Sequence, residues 1–321
     1  MKKNRTSLPF NWFSDKQKDN KKYSSEELQK WGEAFTFSMD KDARDLYVTW
    51  MSFSDNMSIK ASSYFQAYSD LLSKYRDQKV ILSEVGVFRG GSLLTWRKWL
   101  GEQSKIIGID LNPGAKKYAT DDIDIVIGDQ ADPNFWKAFF SHYPDVDIII
   151  DDGGHQFFQQ VITFFSVLIY GKRKMMLIFE DVNTSFFKDF RAGNDEVTFF
   201  EFVKDLTDNL TLKQVFGSRY GDKWVTNVKQ EVIKRYSAIR SVSFFSGIVA
   251  IIIDPDFCYT PQYLKNTSRN HGVPGERGKG DYRHEGEIGG VSFPWPNPHD
   301  NKTVRFKDPL LKAEKKILKI K

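Results

Sequence analysis

The residues best placed to do chemistry in this chain are acids standing where apolar runs end. Glu84 lies in the run Val80–Val85, Asp110 closes Ile106–Asp110, Asp151-Asp152 follows Val146–Ile150, and Glu180-Asp181 follows Met175–Phe179; Asp129-Gln130 comes just after the run ending at Ile127. One acid at such a point is an ordinary turn former. An acid at or beside every run end reads as a constellation, because open α/β sheets bind ligands outside the carboxyl ends of their strands. Asp152, Glu180 and Asp181 form the densest group. Clustered carboxylates repel unless protonated or neutralised, and oxygen-only donors match a hard cation such as Mg²⁺. His155, one helical turn past Asp152 and one of five histidines, is the candidate acid–base group.

Two further acids are placed for a nucleoside. Asp110 lies about two dozen positions after Gly86, where a carboxylate accepts both hydroxyls of a ribose diol. The competing reading is an Asx-turn with Asn112 and Pro113. Gly128-Asp129-Gln130 offers donors and acceptors to an adenine edge, or alternatively a helix cap before Pro133. The turn after the first run has the pattern Gly86-x-x-x-Gly90-Gly91-Ser92, and glycine there lets a ligand approach the backbone closely. It is neither the dinucleotide Gly-x-Gly-x-x-Gly nor a phosphate loop ending in Gly-Lys-Ser/Thr. A nucleoside cofactor without a pyrophosphate on the turn is therefore expected.

The elements that must position these residues alternate. Strands are expected at 80–85, 106–110, 123–127, 146–150 and 175–179, with helices at 92–100, 133–140, 156–169 and 196–209. The strands read as continuous Ile, Leu and Val runs, as sheets covered on both faces require. Two late runs, 239–245 and 247–253, are too close for a crossover and must pair as an antiparallel hairpin. Upstream, Ser24-Ser25-Glu26-Glu27 reads as a capping box opening a helix toward Phe37. An aromatic-rich segment at 46–53 is expected as a lid or substrate-side element, and helical spacing of apolar residues runs from Ser58 to Arg76. The expected division is a flexible basic tail (1–23), an N-terminal helical segment (24–77), a cofactor-binding α/β domain (78–255), and a Pro/Gly-rich arm ending in a short basic helix at Leu310–Ile320 (256–321).

Charge and composition exclude several classes. The net charge of +5 resides at the ends: residues 1–30 carry eight Lys/Arg against four Asp/Glu, and residues 302–321 eight against two, which leaves the body acidic. A basic nucleic-acid-binding body is not indicated, and no nucleic-acid partner is expected. The single cysteine, Cys258, rules out an intrachain disulfide and fits a reducing compartment. Met1–Arg5 is basic but precedes no apolar core, and the longest apolar run, Phe244–Ile253, is too short to span a bilayer. A cytoplasmic protein with no transmembrane segment is expected, and the C-terminal helix suggests packing on a second copy in a homo-oligomer.

Taken in order, Glu84-Val85-Gly86, Gly90-Gly91-Ser92-Leu93, Gly108-Ile109-Asp110, Gly128-Asp129-Gln130-Ala131-Asp132, Asp151-Asp152-Gly153-Gly154-His155 and Glu180-Asp181-Val182-Asn183 resemble the metal-dependent sugar O-methyltransferases of macrolide biosynthesis. The resemblance covers roughly residues 45–255. It implies a doubly wound, Rossmann-like seven-stranded sheet of the class I methyltransferase type, S-adenosylmethionine (SAM) as cofactor, and a sugar-containing acceptor. The cofactor set it implies is Glu84, Gly86, Gly90, Gly91, Ser92, Asp110, Asp129, Gln130 and Asp151; Mg²⁺ falls to Asp152, Glu180 and Asp181, with His155 as base beside Asp152. A His and a Tyr common after the family's Glu-Asp pair are replaced here by Asn183 and Phe186. Two other readings stand beside it. An NAD-dependent sugar oxidoreductase or epimerase lacks its glycine spacing, and no Tyr-x-x-x-Lys pair stands where a proton relay needs one. A non-catalytic SAM-fold scaffold is the other.

Overall fold

The computed structural model describes residues 39–190, 198–216 and 238–255. The expected tail, the capping box at Ser24, Cys258, the Pro/Gly-rich arm and the basic helix at Leu310–Ile320 lie outside the described residues.

Seven strands form one sheet: β1 (Ile81–Val85), β2 (Lys105–Asp110), β3 (Ile123–Ile127), β4 (Ile148–Asp151), β5 (Met175–Phe179), β6 (Ile239–Phe244) and β7 (Val249–Ile253). Their order is β3-β2-β1-β4-β5-β7-β6. The first five run parallel, and β7 pairs antiparallel with both β5 and β6. The late runs thus form the expected hairpin, whose second strand inserts beside β5. Among the described residues, six helices flank the sheet: α1 (Lys41–Met51), α2 (Tyr64–Leu72), α3 (Gly91–Leu100), α4 (Pro133–His142), α5 (Phe157–Tyr170) and α6 (Phe199–Phe216). Both faces are covered, which explains why the strands are apolar without interruption: Ile149 joins the core under α4, α5 and α6, while Ile148 and Ile150 join the core under α1, α2 and α3.

Two upstream expectations change. The aromatic-rich segment at 46–53 is no lid, because most of it is α1, which buries Leu46 and Thr49 against α2 and α3. The helix expected from Ser58 begins only at Tyr64. Residues 53–63 instead cross the top of the sheet, with Trp50 Nε1 donating to Ser58 Oγ at 2.6 Å and Asn56 Nδ2 to the Arg89 carbonyl at 3.1 Å. The crossing depends on Gly91, since a Cβ there would stand 1.9 Å from the Asn56 carbonyl oxygen.

The start of α1 is fixed by one side chain. Asp40 Oδ1 accepts from the Ala43 amide at 2.7 Å, and the same carboxylate accepts from Ser69 and Gln66 on α2. It therefore caps one helix while fastening it to the next. Asp40→Ala is expected to lower unfolding stability by about 1–2 kcal/mol in urea titration; an unchanged midpoint contradicts this role.

Candidate active site

The strand order turns about β1, whose neighbours are β2 and β4, and ligands of such sheets bind at this switch point. A cleft of about 530 Å³ lies there, lined by Gly86, Ser92, Asp110, Asp129, Gln130, Asp152 and Asp181, with Ser58 and Ile59 contributed by the crossing segment. The volume is that of a small-molecule site. Asp110 keeps both its readings: Oδ2 accepts from the Val87 amide at 3.0 Å, and Oδ1 closes an Asx-turn on the Asn112 amide at 2.8 Å. Each oxygen retains capacity for a further hydrogen bond, and Asp110 lines the cleft. Asp129 Oδ1 accepts from the Ala131 amide at 2.8 Å.

Two acids expected against the cofactor, Glu84 and Asp151, stand behind the wall instead. Glu84 is fully buried, with Ser92 Oγ donating to Oε2 at 2.7 Å. Asp151 is also fully buried, and Gln130 Nε2 donates to both its oxygens at 3.1 Å. Gln130 lines the cleft, and its Oε1 accepts from the Gly154 amide at 2.9 Å, so its side-chain amide also holds the β4 turn. Gly90 and Gly91 lie off the cleft surface. Gly86 lines the cleft, but its bare Cα makes room for protein rather than ligand: with φ +93°, a Cβ would sit 2.2 Å from the Asp152 carbonyl oxygen.

The carboxylates divide into two sets that share Asp152. The inner set is Glu84, Asp152 and Glu180, and Lys60 sits among them. Its ammonium lies 2.6 Å from Glu180 Oε1, 2.7 Å from Asp152 Oδ2 and 3.2 Å from Glu84 Oε1, with only 4% of the side chain exposed. Burial alone would depress this ammonium's pKa, but the three carboxylates outweigh it and hold the group well above an ordinary lysine. Burial and the Asp152 charge push the Glu180 carboxyl well up, with Lys60 opposing. Tyr68 Oη also donates to Glu180 Oε1, and burial beside these acids raises the phenol far above its usual range. Glu180, expected as a third metal ligand, is thus turned inward, away from the cleft.

The outer set is Asp152, Asp181 and His155, whose ligand atoms lie within 4.8 Å of one another. His155 Nε2 stands 3.6 Å from Asp181 Oδ2 and 3.9 Å from Asp152 Oδ1, while its Nδ1 is buried with no hydrogen-bond partner among the described residues. Both His155 and Asp181 have left-handed backbones, φ +55° and +51°, an uncommon conformation for residues with a Cβ. Tyr64 Oη fixes Asp181, donating to Oδ1 at 2.5 Å and accepting from its amide at 3.1 Å. The open carboxylate oxygens of Asp152 and Asp181 fit a hard divalent cation, and the imidazole of His155 stands beside them as an acid–base group.

Sequence reasoning missed Lys60, Tyr64 and Tyr68. Lysine is almost never fully buried unless paired, and nothing local in Ser58-Ile59-Lys60-Ala61 announces its partners. Tyr64 and Tyr68 were legible as one face of a helix through their i,i+4 spacing, but their hydroxyls pass unseen in an apolar pattern.

No family model matches the chain. By sequence it is similar to 8-demethyl-8-alpha-L-rhamnosyl tetracenomycin-C 2'-O-methyltransferase of Streptomyces olivaceus, 29% identical over 158 residues, covering 46% of this chain and 41% of the relative. It is 28% identical over 155 residues to demethylmacrocin O-methyltransferase of Streptomyces fradiae, covering 44% and 38%. The chain thus spans about two fifths of the length of these curated relatives. By structure it superposes on MycE methyltransferase from the mycinamycin biosynthetic pathway, in complex with Mg and SAH, with a TM-score of 0.55 at 21% identity, covering 72% of this chain and 59% of that one. The MycE complex that also holds mycinamycin VI gives 0.55 at 19% identity, covering 77% and 66%. The fold is that of the class I SAM-dependent methyltransferases, and the curated proteins this chain matches are O-methyltransferases.

Proposed function

We propose that the chain is a SAM-dependent, Mg²⁺-dependent O-methyltransferase acting on a sugar hydroxyl of a glycan or glycosylated metabolite. The observation that carries this reading is a single cleft lined by Asp110, the ribose-type acid, by Asp129 of the adenine-edge segment, and by Asp152 and Asp181. The curated relatives, one of them named for a rhamnosyl substrate, support the acceptor class. Asp110 and Asp129, which line the cleft, would hold the adenosine of SAM, and the bound cofactor would supply the methyl group.

An unactivated alcohol is the difficulty. An ordinary imidazole of pKa about 6.5 facing a hydroxyl near the ~15.7 of water meets a gap of about nine units, or about 12 kcal/mol. Asp152 and Asp181 would hold a divalent cation, which would supply the Lewis acidity that lowers this gap. His155 takes the hydroxyl proton at Nε2, and the two carboxylates facing that nitrogen stabilise the imidazolium. The oxygen then forms its bond to the methyl carbon as the carbon–sulfur bond breaks, releasing S-adenosylhomocysteine (SAH). The strained backbone of His155 and the Tyr64 contact on Asp181 keep base and acid aligned.

Isotopically labelled methyl transfer from SAM into host glycan fractions, with and without chelator, tests the reading. Full transfer in excess chelator rejects the metal. Binding of NAD but not SAM in calorimetric titration would favour the oxidoreductase alternative. His155→Ala is expected to lower turnover by about 10²–10⁴-fold at saturating metal, checked by initial rates of labelled transfer; a rate within twofold removes the base assignment.

A further inference from the structure

The inner carboxylate set poses a question that the proposed reaction does not answer. Glu84, Asp152 and Glu180 bring three carboxylate oxygens within 4.8 Å of one another, at the spacing of a cation site, with Glu84 and Glu180 shut away from water. Two buried carboxylates with a third, half-buried one beside them cannot all stay charged without compensation. The compensation here comes from a side chain of the protein itself. The Lys60 ammonium contacts all three acids at 2.6–3.2 Å, distances of charge-assisted hydrogen bonds.

A second observation shows that Lys60 is carried there by a built segment. Residues 53–63 are fixed on both sides of it: Asn56 donates to the Arg89 carbonyl, its own carbonyl packs on the bare Cα of Gly91, Ser58 accepts from Trp50, and Ser63 Oγ donates to the Ser246 carbonyl at 3.1 Å. Ser58 and Ile59, the two residues before Lys60, line the cleft. The ammonium therefore also fastens one wall of the cleft to the floor beneath it.

We infer that Lys60 is the resident cation of the inner set, taking the place of a metal ion there, so that divalent cations are confined to the outer face of Asp152 and Asp181. Lys60 is a positioning residue: it holds Asp152 through Oδ2 and leaves Oδ1 facing the outer set. The inference deepens the proposed function, and it concerns how many cations the site admits and where.

The test counts bound Mn²⁺ on the full chain by electron paramagnetic resonance in the presence of SAH, comparing wild type with Lys60→Met and Lys60→Arg. Lys60→Met is expected to take up one more equivalent of Mn²⁺ than wild type, or to bind it at least about tenfold more tightly, because three unneutralised carboxylates remain. Lys60→Arg, which keeps the charge, is expected to match wild type. Equal stoichiometry and affinity in folded Lys60→Met overturns the inference. The comparison is between variant and wild type, so it is decided whether or not the outer set holds a metal, and it separates from failure of the methyltransferase reading. Should Lys60→Met not fold, reductive methylation of the wild-type chain with peptide mass mapping decides. Lys60 is expected to stay unlabelled with and without saturating Mn²⁺; labelling that rises with Mn²⁺ shows that a metal displaces it and overturns the inference.

Discussion

Asp152→Asn lowers methyl transfer by at least about 10²–10³-fold, the loss expected when one electrostatic element of a transition-state site is removed, while SAH affinity stays within about threefold, as expected for a residue off the purine and ribose contacts. Asp152 belongs to both carboxylate sets. Its Oδ1 faces His155 and the outer donor set, and its Oδ2 accepts from Lys60. An amide of the same shape still accepts from Lys60, so the fold survives, but it carries no charge for a divalent cation or an imidazolium. Asp110 and Asp129, which the cofactor reading uses, are untouched. Labelled transfer under single-turnover conditions and calorimetric titration with SAH measure the two halves separately. Turnover within tenfold of wild type would remove Asp152 from the reaction; loss of SAH binding would place it against the cofactor.

Gly86→Ala is expected to cost about 2–4 kcal/mol of unfolding stability, from left-handed strain together with overpacking, and to abolish SAM binding. The residue has φ +93°, and an added Cβ would lie 2.2 Å from the Asp152 carbonyl oxygen and 2.9 Å from its carbonyl carbon. Those atoms are backbone and cannot swing aside. Relief requires β1 and β4 to separate at their carboxyl ends, which moves Asp152 away from Lys60 and opens the cleft floor. Denaturant titration measures the first effect and calorimetry the second. A variant of wild-type stability that still binds SAM would show that the turn relaxes more cheaply than this geometry allows.

The sheet was legible because its signals are local. Continuous runs such as Ile148-Ile149-Ile150 need only their own residues to declare a strand buried on both faces, and Asp-Gly or Gly-Gly steps declare the turns. The acids at run ends were legible for the same reason, since topology places every parallel carboxyl end on one side. Harder to read were properties that depend on a distant partner. The hairpin of β6 and β7 was visible, but which strand lies beside β5 is settled by pairing across the sheet, where Met175 meets Ile253. The aromatic segment at 46–53 shows helical residues, yet only the α2 and α3 surfaces make it core rather than lid.

The acids illustrate the division most directly. The sequence by itself determined that Glu84, Asp110, Asp129, Asp152, Glu180 and Asp181 gather at one edge of one sheet, because strand direction and turn chemistry are written in neighbouring residues. Tertiary structure alone decided which way each carboxylate faces. Glu84 and Glu180 turn inward to Lys60, which arrives from 24 and 120 residues away, and Asp181 turns outward to His155 under the hand of Tyr64, 117 residues distant. The physical reason is that a buried charge is stable only where another meets it, and the meeting point of segments so far apart in the chain exists only once the sheet has formed.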